Sequence, residues 1–122
     1  KDGLHGIYRV PKEYVGAPKV KPVWSSPTIT GNVVWDLDYR AIGGDNTESL
    51  DQATAQESLT LTDAAPTTAR NKLEPAGFTL TAANLAADDE LEYVLSRDGA
   101  DAADTMVDDA YLVDLIFEYS DA

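Results

Sequence analysis

The sequence contains no cysteine and a single histidine, His5, in 122 residues. Without cysteine the chain forms no disulfide and performs no thiol chemistry. The cysteine content therefore does not indicate whether the protein works in an oxidising or a reducing compartment. One histidine leaves little for a nucleophilic triad or a transition-metal site. The pair Gly43-Gly44 lacks the third glycine and the lysine of a phosphate-binding loop. No pair among the 22 acidic residues lies in a recognisable cleft-forming context for glycoside hydrolysis. We therefore predict no catalytic residues and no enzymatic activity.

Basic residues are also scarce. Nine lysines and arginines stand against 22 aspartates and glutamates, which gives a net charge of −13 and a pI near 4.1. A surface of this kind repels phosphate backbones and anionic lipid headgroups, so we expect neither a nucleic-acid partner nor a membrane partner. The acidic excess is consistent with high solubility, a saline habitat or affinity for cations.

Long apolar runs and amphipathic helical patterns are missing too. No run approaches the about 20 apolar residues of a membrane span. Instead, residues 31–42 alternate between apolar and mostly charged positions. This period of two indicates a β-strand with one face toward a core. The apolar row consists of Val33, Trp35, Leu37, Tyr39 and Ala41.

The C-terminal segment has the same design. Its predicted inward row is Tyr111, Val113, Leu115, Phe117 and Tyr119. Near the N-terminus the alternation is mixed, with Ile7 and Tyr8 falling on opposite faces of a first strand. Pro18 and Pro22 suggest an edge strand that ends at Trp24, because proline cannot donate to a β-ladder.

The pattern as a whole predicts a single all-β domain over residues 1–122. We expect seven or eight short strands in an antiparallel two-sheet sandwich, arranged as a jelly roll. The polar stretch 43–56 is too long for a hairpin loop, so we expect it to cross from one sheet to the other. The predicted core cluster is Trp35, Leu37, Leu91, Tyr93, Leu115 and Phe117.

Residues 98–109 contain five aspartates. Oxygen ligands at this density can hold Ca²⁺, with Asp98, Asp101, Asp104 and Asp108 as the candidates. The spacing does not match an EF-hand, and aspartates are also the ordinary residues of Asx-turns and helix caps. We favour a loop held by such turns and by an ion pair from Arg97, with no metal and no cofactor.

Candidate contact residues follow from the charge. Copies that each carry −13 repel one another, so contacts between them should be apolar or should use the few basic residues. The basic candidates are Lys19, Lys21, Arg40 and Arg70. Tyr8 and Tyr14 are further candidates because the alternation pattern does not fix which way they face. The other aromatic residues that share alternating rows with aliphatic residues are expected in the core: Trp35, Tyr39, Tyr111 and Tyr119.

Four segments carry a resemblance to a known family. They are Asn32-Val33-Val34-Trp35, Arg97 with Asp104-Thr105, Asp109-Ala110-Tyr111-Leu112, and Ile116-Phe117-Glu118-Tyr119. Together they resemble a β-sandwich domain found near the C-termini of structural proteins in tailed viruses, especially marine phages. The match runs from about Ile7 and includes Val10-Pro11-Lys12. The chain departs from the family in the very acidic stretch 86–109 and at Met106, where a leucine is expected.

The resemblance implies a virion surface module, such as a capsid decoration (cement) protein or a fibre tip, often trimeric. Its implied partners are copies of itself and a major capsid or tail protein, and its implied location is the extracellular virion surface. The resemblance supplies no functional residues.

Two other classes stay open. One is a carbohydrate-binding module that binds a host surface glycan through exposed tryptophan or tyrosine. The other is a subunit of an extracellular surface layer or filament, joined by strand addition. A flat row of exposed aromatic rings favours the first alternative, and an unpaired edge strand favours the second.

Overall fold

The computed structural model describes residues 3–44 and 54–121. These ranges contain seven β-strands and one short 3₁₀ turn, so the prediction of an all-β chain is confirmed. The strands are β1 (Leu4–Arg9), β2 (Tyr14–Ser25), β3 (Asn32–Ile42), β4 (Glu57–Ala64), β5 (Phe78–Thr79), β6 (Glu90–Arg97) and β7 (Tyr111–Asp121), and the 3₁₀ turn is Ala82–Asn84.

The strands form two antiparallel sheets, as a β-sandwich requires. The four-stranded sheet has the order β1-β6-β3-β4, and the three-stranded sheet has the order β5-β2-β7. The predicted two-sheet sandwich is therefore confirmed. The described ranges hold seven strands, one fewer than the eight of a jelly roll.

The β2–β3 and β6–β7 connections both cross between the sheets at the same end of the sandwich. β2 and β3 lie in opposite sheets, as do β6 and β7, while β3 pairs with β6 and β2 pairs with β7. The two crossing loops are therefore neighbours. Asp98 donates its backbone N–H to the Val34 carbonyl at 2.9 Å, and Thr105 donates to the Asn32 carbonyl at 2.9 Å. This pairing places the acidic loop against β3.

The core lies between the sheets, where the sequence predicted it. Trp35, Leu37 and Leu91 are buried in one cluster, and the predicted partners Tyr93, Leu115 and Phe117 are partly buried and pack against it. The rings of Trp24 and Trp35 meet edge to face, with centroids 5.9 Å apart.

The predicted inward row of β7 is only partly right. β7 pairs with β2 at Leu112 and again at Asp114, opposite consecutive residues of β2, so Val113 is an extra residue in a β-bulge. The bulge changes which alternate positions face the core. Leu112, Leu115 and Phe117 pack against the core, whereas Tyr111 is 47% exposed and Val113 is 61% exposed. Tyr119, also expected inside, is exposed.

Two further expectations are wrong. The proline-containing strand is not an edge strand, because β2 lies between β5 and β7. On its β5 side β2 bonds only near Lys19 and Val20 and again at Trp24, so the missing N–H of Pro22 interrupts no ladder there. The connection after β3 does not cross sheets, because β3 and β4 are antiparallel neighbours in the four-stranded sheet.

Candidate functional site

The acidic loop is held by Arg97, the last residue of β6. Its guanidinium donates to both carboxylate oxygens of Asp104, at 2.9 and 2.6 Å. It also donates to the carbonyls of Met106 at 2.6 Å and Asp108 at 2.7 Å. The Val34 N–H donates to the same carboxylate at 3.0 Å. The predicted Arg97 ion pair is confirmed, and it ties the loop to the neighbouring strand.

This arrangement favours the ionised form of Asp104. The hydrogen bonds from Arg97 lower the pKa of the Asp104 carboxyl, and they outweigh the opposing effect of burial. The same contacts raise the pKa of Arg97. Since the Asp104 side chain is only 2% exposed, its charge depends mainly on Arg97, with a further hydrogen bond from the Val34 N–H.

The four calcium candidates do not form a metal-binding cluster. Asp104 is occupied by Arg97, and the Asp101 carboxylate accepts from the Ala103 N–H at 2.8 Å, as in an Asx-turn. Asp108 contributes its backbone carbonyl to Arg97, and the Asp98 N–H bonds to Val34. Within residues 3–44 and 54–121, no three acidic or histidine side chains are placed to bind one ion.

The basic contact candidates lie on three separate surfaces. Lys19 and Lys21 lie on β2, where Lys21 forms an ion pair with Glu118 of β7 at 2.9 Å. Arg40 lies on β3 and donates to the Thr54 carbonyl at 3.0 and 3.2 Å. Arg70 is exposed in the connection between β4 and β5. The fold therefore does not gather them into one basic patch.

The two tyrosine candidates have different environments. Tyr8 lies on β1, is 37% exposed, and its ring contacts Phe117 of β7 at a centroid distance of 4.9 Å. Tyr14 is buried and donates its hydroxyl to the Ala82 carbonyl at 3.2 Å. Tyr8 alone of the pair presents a large part of its surface to a partner.

A further surface, which the sequence did not predict, is the side of the sandwich formed by β1 and β7. We call these two strands the open edge. Each is the outermost strand of its sheet. Of the nine large apolar residues that are exposed among the described positions, six lie here: Leu4, Ile7, Tyr8, Tyr111, Val113 and Tyr119. The mixed alternation of β1 was the one sequence signal for it, because that pattern puts apolar residues on both faces.

A narrow apolar cleft opens between the sheets at this edge. Its volume is about 70 Å³, and it is lined by residues of β1, β2, β6 and β7, including Tyr8, Leu91, Tyr93 and Phe117. Gly6 has no side chain, and this leaves space for the Tyr93 ring in the wall of the cleft. A Cβ atom at position 6 would collide with the Tyr93 hydroxyl. The Tyr93 ring therefore lies over the backbone of β1.

The opposite side of the sandwich is polar. Along β4 the exposed residues include Ser58, Thr60 and Thr62. The Glu57 carboxylate accepts from the Tyr39 hydroxyl at 2.5 Å and from the Thr81 N–H and hydroxyl at 3.0 and 2.9 Å. Burial would raise the pKa of Glu57, but these hydrogen bonds outweigh it and lower the pKa. Exposed apolar side chains thus distinguish the open edge from the β4 side.

The only helical element in the described part of the chain is the three-residue turn Ala82–Asn84, so no helix there is long enough to cross a membrane. Comparison of the chain with family models, curated proteins and solved structures finds no match. The resemblance to tailed-virus modules stays a prediction.

Proposed function

We propose that this domain is a non-enzymatic structural module repeated on the surface of a tailed virus particle, as a capsid decoration protein or fibre tip. The observation that carries the proposal is the open edge. Edge strands that stay free in solution are usually short, charged or covered, because unpaired backbone groups beside apolar side chains promote association. β7 is protected in part by its acidic residues Asp114 and Glu118 and by its bulge. It is nevertheless eleven residues long and exposes Tyr111, Val113 and Tyr119. Such an edge is suited to a partner.

The polar clusters support a structural role. The Arg97–Asp104 pair holds a loop, and the Tyr39–Glu57 hydrogen bond ties β3 to β4. Each carboxylate already accepts several hydrogen bonds from its own chain. Neither cluster offers a free general base beside a nucleophile, which is what acid–base or covalent catalysis requires.

The alternatives differ in their support. A subunit of a surface layer or filament would use the same open edge. Finding the chain on virus particles or in a cellular surface assembly therefore distinguishes the viral module from this alternative. A glycan platform has less support, because Trp24 and Trp35 are buried. The rings at the open edge are also tilted, by 38° between Tyr8 and Phe117 and by 31° between Phe117 and Tyr119. A flat sugar face stacks poorly on such rings.

The test is binding to particles of the virus that encodes the chain, prepared without it. The purified chain should sediment with the particles and appear at regular surface positions by electron microscopy. The double variant Ile7→Ser/Val113→Ser should lose binding. Its matched control, Ile29→Ser/Val107→Ser, changes apolar residues outside β1 and β7 that are at least about as accessible. Ile29 is 56% exposed against 57% for Ile7, and Val107 is 96% exposed against 61% for Val113. Absence of particle binding together with specific glycan binding would favour the carbohydrate-binding module.

A further inference from the structure

The two sheets differ in their number of strands. Four strands in one sheet face three in the other, and no described strand pairs with the outer side of β7. Backbone N–H and C=O groups on that side of Tyr111–Asp121 are therefore open to another strand, except the Leu115 N–H, which donates to Asp114 Oδ1 at 2.8 Å.

The inner face of β1 is only partly covered by β7, through the contact between the rings of Tyr8 and Phe117. Leu4 pairs with Leu95, and Tyr8 pairs with Leu91. Directly paired residues point to the same face of a sheet, and both leucines are buried, so Leu4 and Tyr8 face the interior of the sandwich. Nevertheless they are 45% and 37% exposed. Because Tyr8 already contacts Phe117 of β7, a strand added beside β7 would lie at the outer margin of β1, where it can cover the exposed parts of Leu4 and Tyr8.

The cleft between the sheets fits an inserted side chain. Its volume of about 70 Å³ and its lining of Tyr8, Leu91 and Phe117 suit the apolar side chain of a valine or leucine. An extended segment presents such side chains at every second position, so alternate residues can enter the sandwich while the others face solvent.

The acidic residues of β7 favour a basic partner segment over a second copy of the chain. β7 contains Asp114, Glu118 and Asp121 and no basic residue. A second copy paired through β7 would place these carboxylates beside their own counterparts, and each copy carries −13. A segment with lysine or arginine at its outward positions would instead place opposite charges across the new strand pair.

We infer that β7 accepts an extended segment of another protein as an eighth strand, with apolar residues entering the sandwich and basic residues facing Asp114. Glu118 already pairs with Lys21 of β2. This inference rests on the proposed function and names its docking surface and the chemistry of its partner segment. The completed sandwich then has four strands in each sheet, and the open edge is covered.

The test uses a fluorescein-labelled decapeptide of alternating valine and lysine, added to the full chain at low ionic strength. One control peptide replaces two central valines by proline, which removes backbone donors, and another replaces lysine by glutamate. Fluorescence anisotropy measures affinity, and hydrogen exchange locates the contact. The lysine peptide should bind at least about tenfold tighter than either control. It should slow exchange in β7 and leave β4 unchanged.

Variants of the protein distinguish binding at β7 from nonspecific attraction of the basic peptide to the negatively charged surface. Asp114→Lys should weaken the lysine peptide by about fivefold or more. Ser58→Lys/Thr62→Lys makes the same change of two charges on the β4 edge and should bind as the unaltered chain does. Leu4→Ser should also weaken binding, whereas Ile29→Ser should not.

Three results would overturn the inference. Equal binding of the proline peptide would mean that charge alone attracts it. Slowed exchange in β4 rather than β7 would place the peptide elsewhere. A chain already dimeric at low salt, with β7 protected before peptide is added, would make a second copy the occupant. Particle binding that persists without peptide binding would leave the proposed function standing and would assign the contact to another surface.

Discussion

At the residue scale, the Arg97 guanidinium takes the role that a bound cation has in a calcium-binding loop, because it binds carboxylate and carbonyl oxygens of the acidic loop. It bonds to one carboxylate and two carbonyls of the same loop, while that carboxylate also accepts from Val34 of β3. Because Asp104 is almost fully buried, water cannot take the place of Arg97 as its partner, and Arg97, at 24% exposure, is only partly hydrated if Asp104 is removed. The stability of this end of the sandwich should therefore depend on this pair.

We expect Asp104→Ala to reduce the free energy of unfolding by about 3 kcal/mol, because it leaves the partly buried Arg97 without its carboxylate. Urea denaturation at pH 7 measures the loss. The matched control is Glu118→Ala, which removes the more exposed Lys21 pair and should cost about 1 kcal/mol or less. Equal losses from both variants would contradict the special role of Asp104.

The loss of unfolding free energy caused by Asp104→Ala should depend on pH. The pKa of Asp104 is lowered in the folded state, so its contribution is fully present above the unfolded value and is lost as pH falls through the folded value. The difference between the unaltered chain and Asp104→Ala should therefore shrink on acidification below about pH 4. A difference that stays constant to pH 2 would contradict the pairing.

Calcium should leave the melting temperature unchanged. Asp104 is occupied by Arg97 and Val34, and the Asp101 carboxylate bonds within its own turn. Thermal melting in millimolar Ca²⁺ and in EDTA tests this expectation. A substantial rise with Ca²⁺ that disappears in Asp101→Ala would restore the calcium interpretation.

At the scale of elements, the sequence predicted those features that depend on local alternation. β3 alternates without interruption, and its apolar row is buried as expected. β7 contains apolar residues on both faces around Val113, so its sequence is compatible with either orientation, and only its pairing with β2 locates the bulge. For β7, the alternation therefore predicted the strand correctly, but it predicted which side chains face the core for only part of the strand.

Long-range pairing also explains the missed open edge. Whether Ile7 or Val113 is exposed depends on which strands end each sheet, and sequence-distant partners decide that. The proline interpretation failed for the same reason: Pro22 fits a central strand because the neighbouring β5 has only two residues. An ion pair of Arg97 with the acidic loop was predictable because Arg97 directly precedes that loop and its partner Asp104 lies only seven residues away.

Deletion of Val113 should be tolerated, because the bulge residue has no partner on β2 and the pairs on either side keep their register. We expect a loss of about 1 kcal/mol or less in urea denaturation. Deletion of Ile116 is the control. It shifts a regularly paired segment by one residue, turns core-facing side chains outward, and should cost about 2 to 4 kcal/mol. If both deletions destabilise equally, the bulge assignment is wrong.

At the scale of the whole molecule, the charge of −13 opposes contact between copies, whereas the open edge favours it. Repulsion between exposed charges is screened beyond about 8 Å at physiological salt. We therefore expect self-association to strengthen as salt rises, with light scattering across a salt series as the measurement. Ile7→Ser/Val113→Ser should suppress the association, and Ile29→Ser/Val107→Ser should not. A chain that stays monomeric at every salt concentration would contradict this expectation.

Hydrogen exchange of the chain, free in solution and bound to its native particle, tests the contact surface most directly. If the open edge is the contact, amides of β1 and β7 exchange more slowly in the bound state, while those of β4 keep their rates. Slower exchange confined to β4 or to the Asp-rich loop would place the contact elsewhere. No change in any strand would contradict a role for the sandwich in particle assembly.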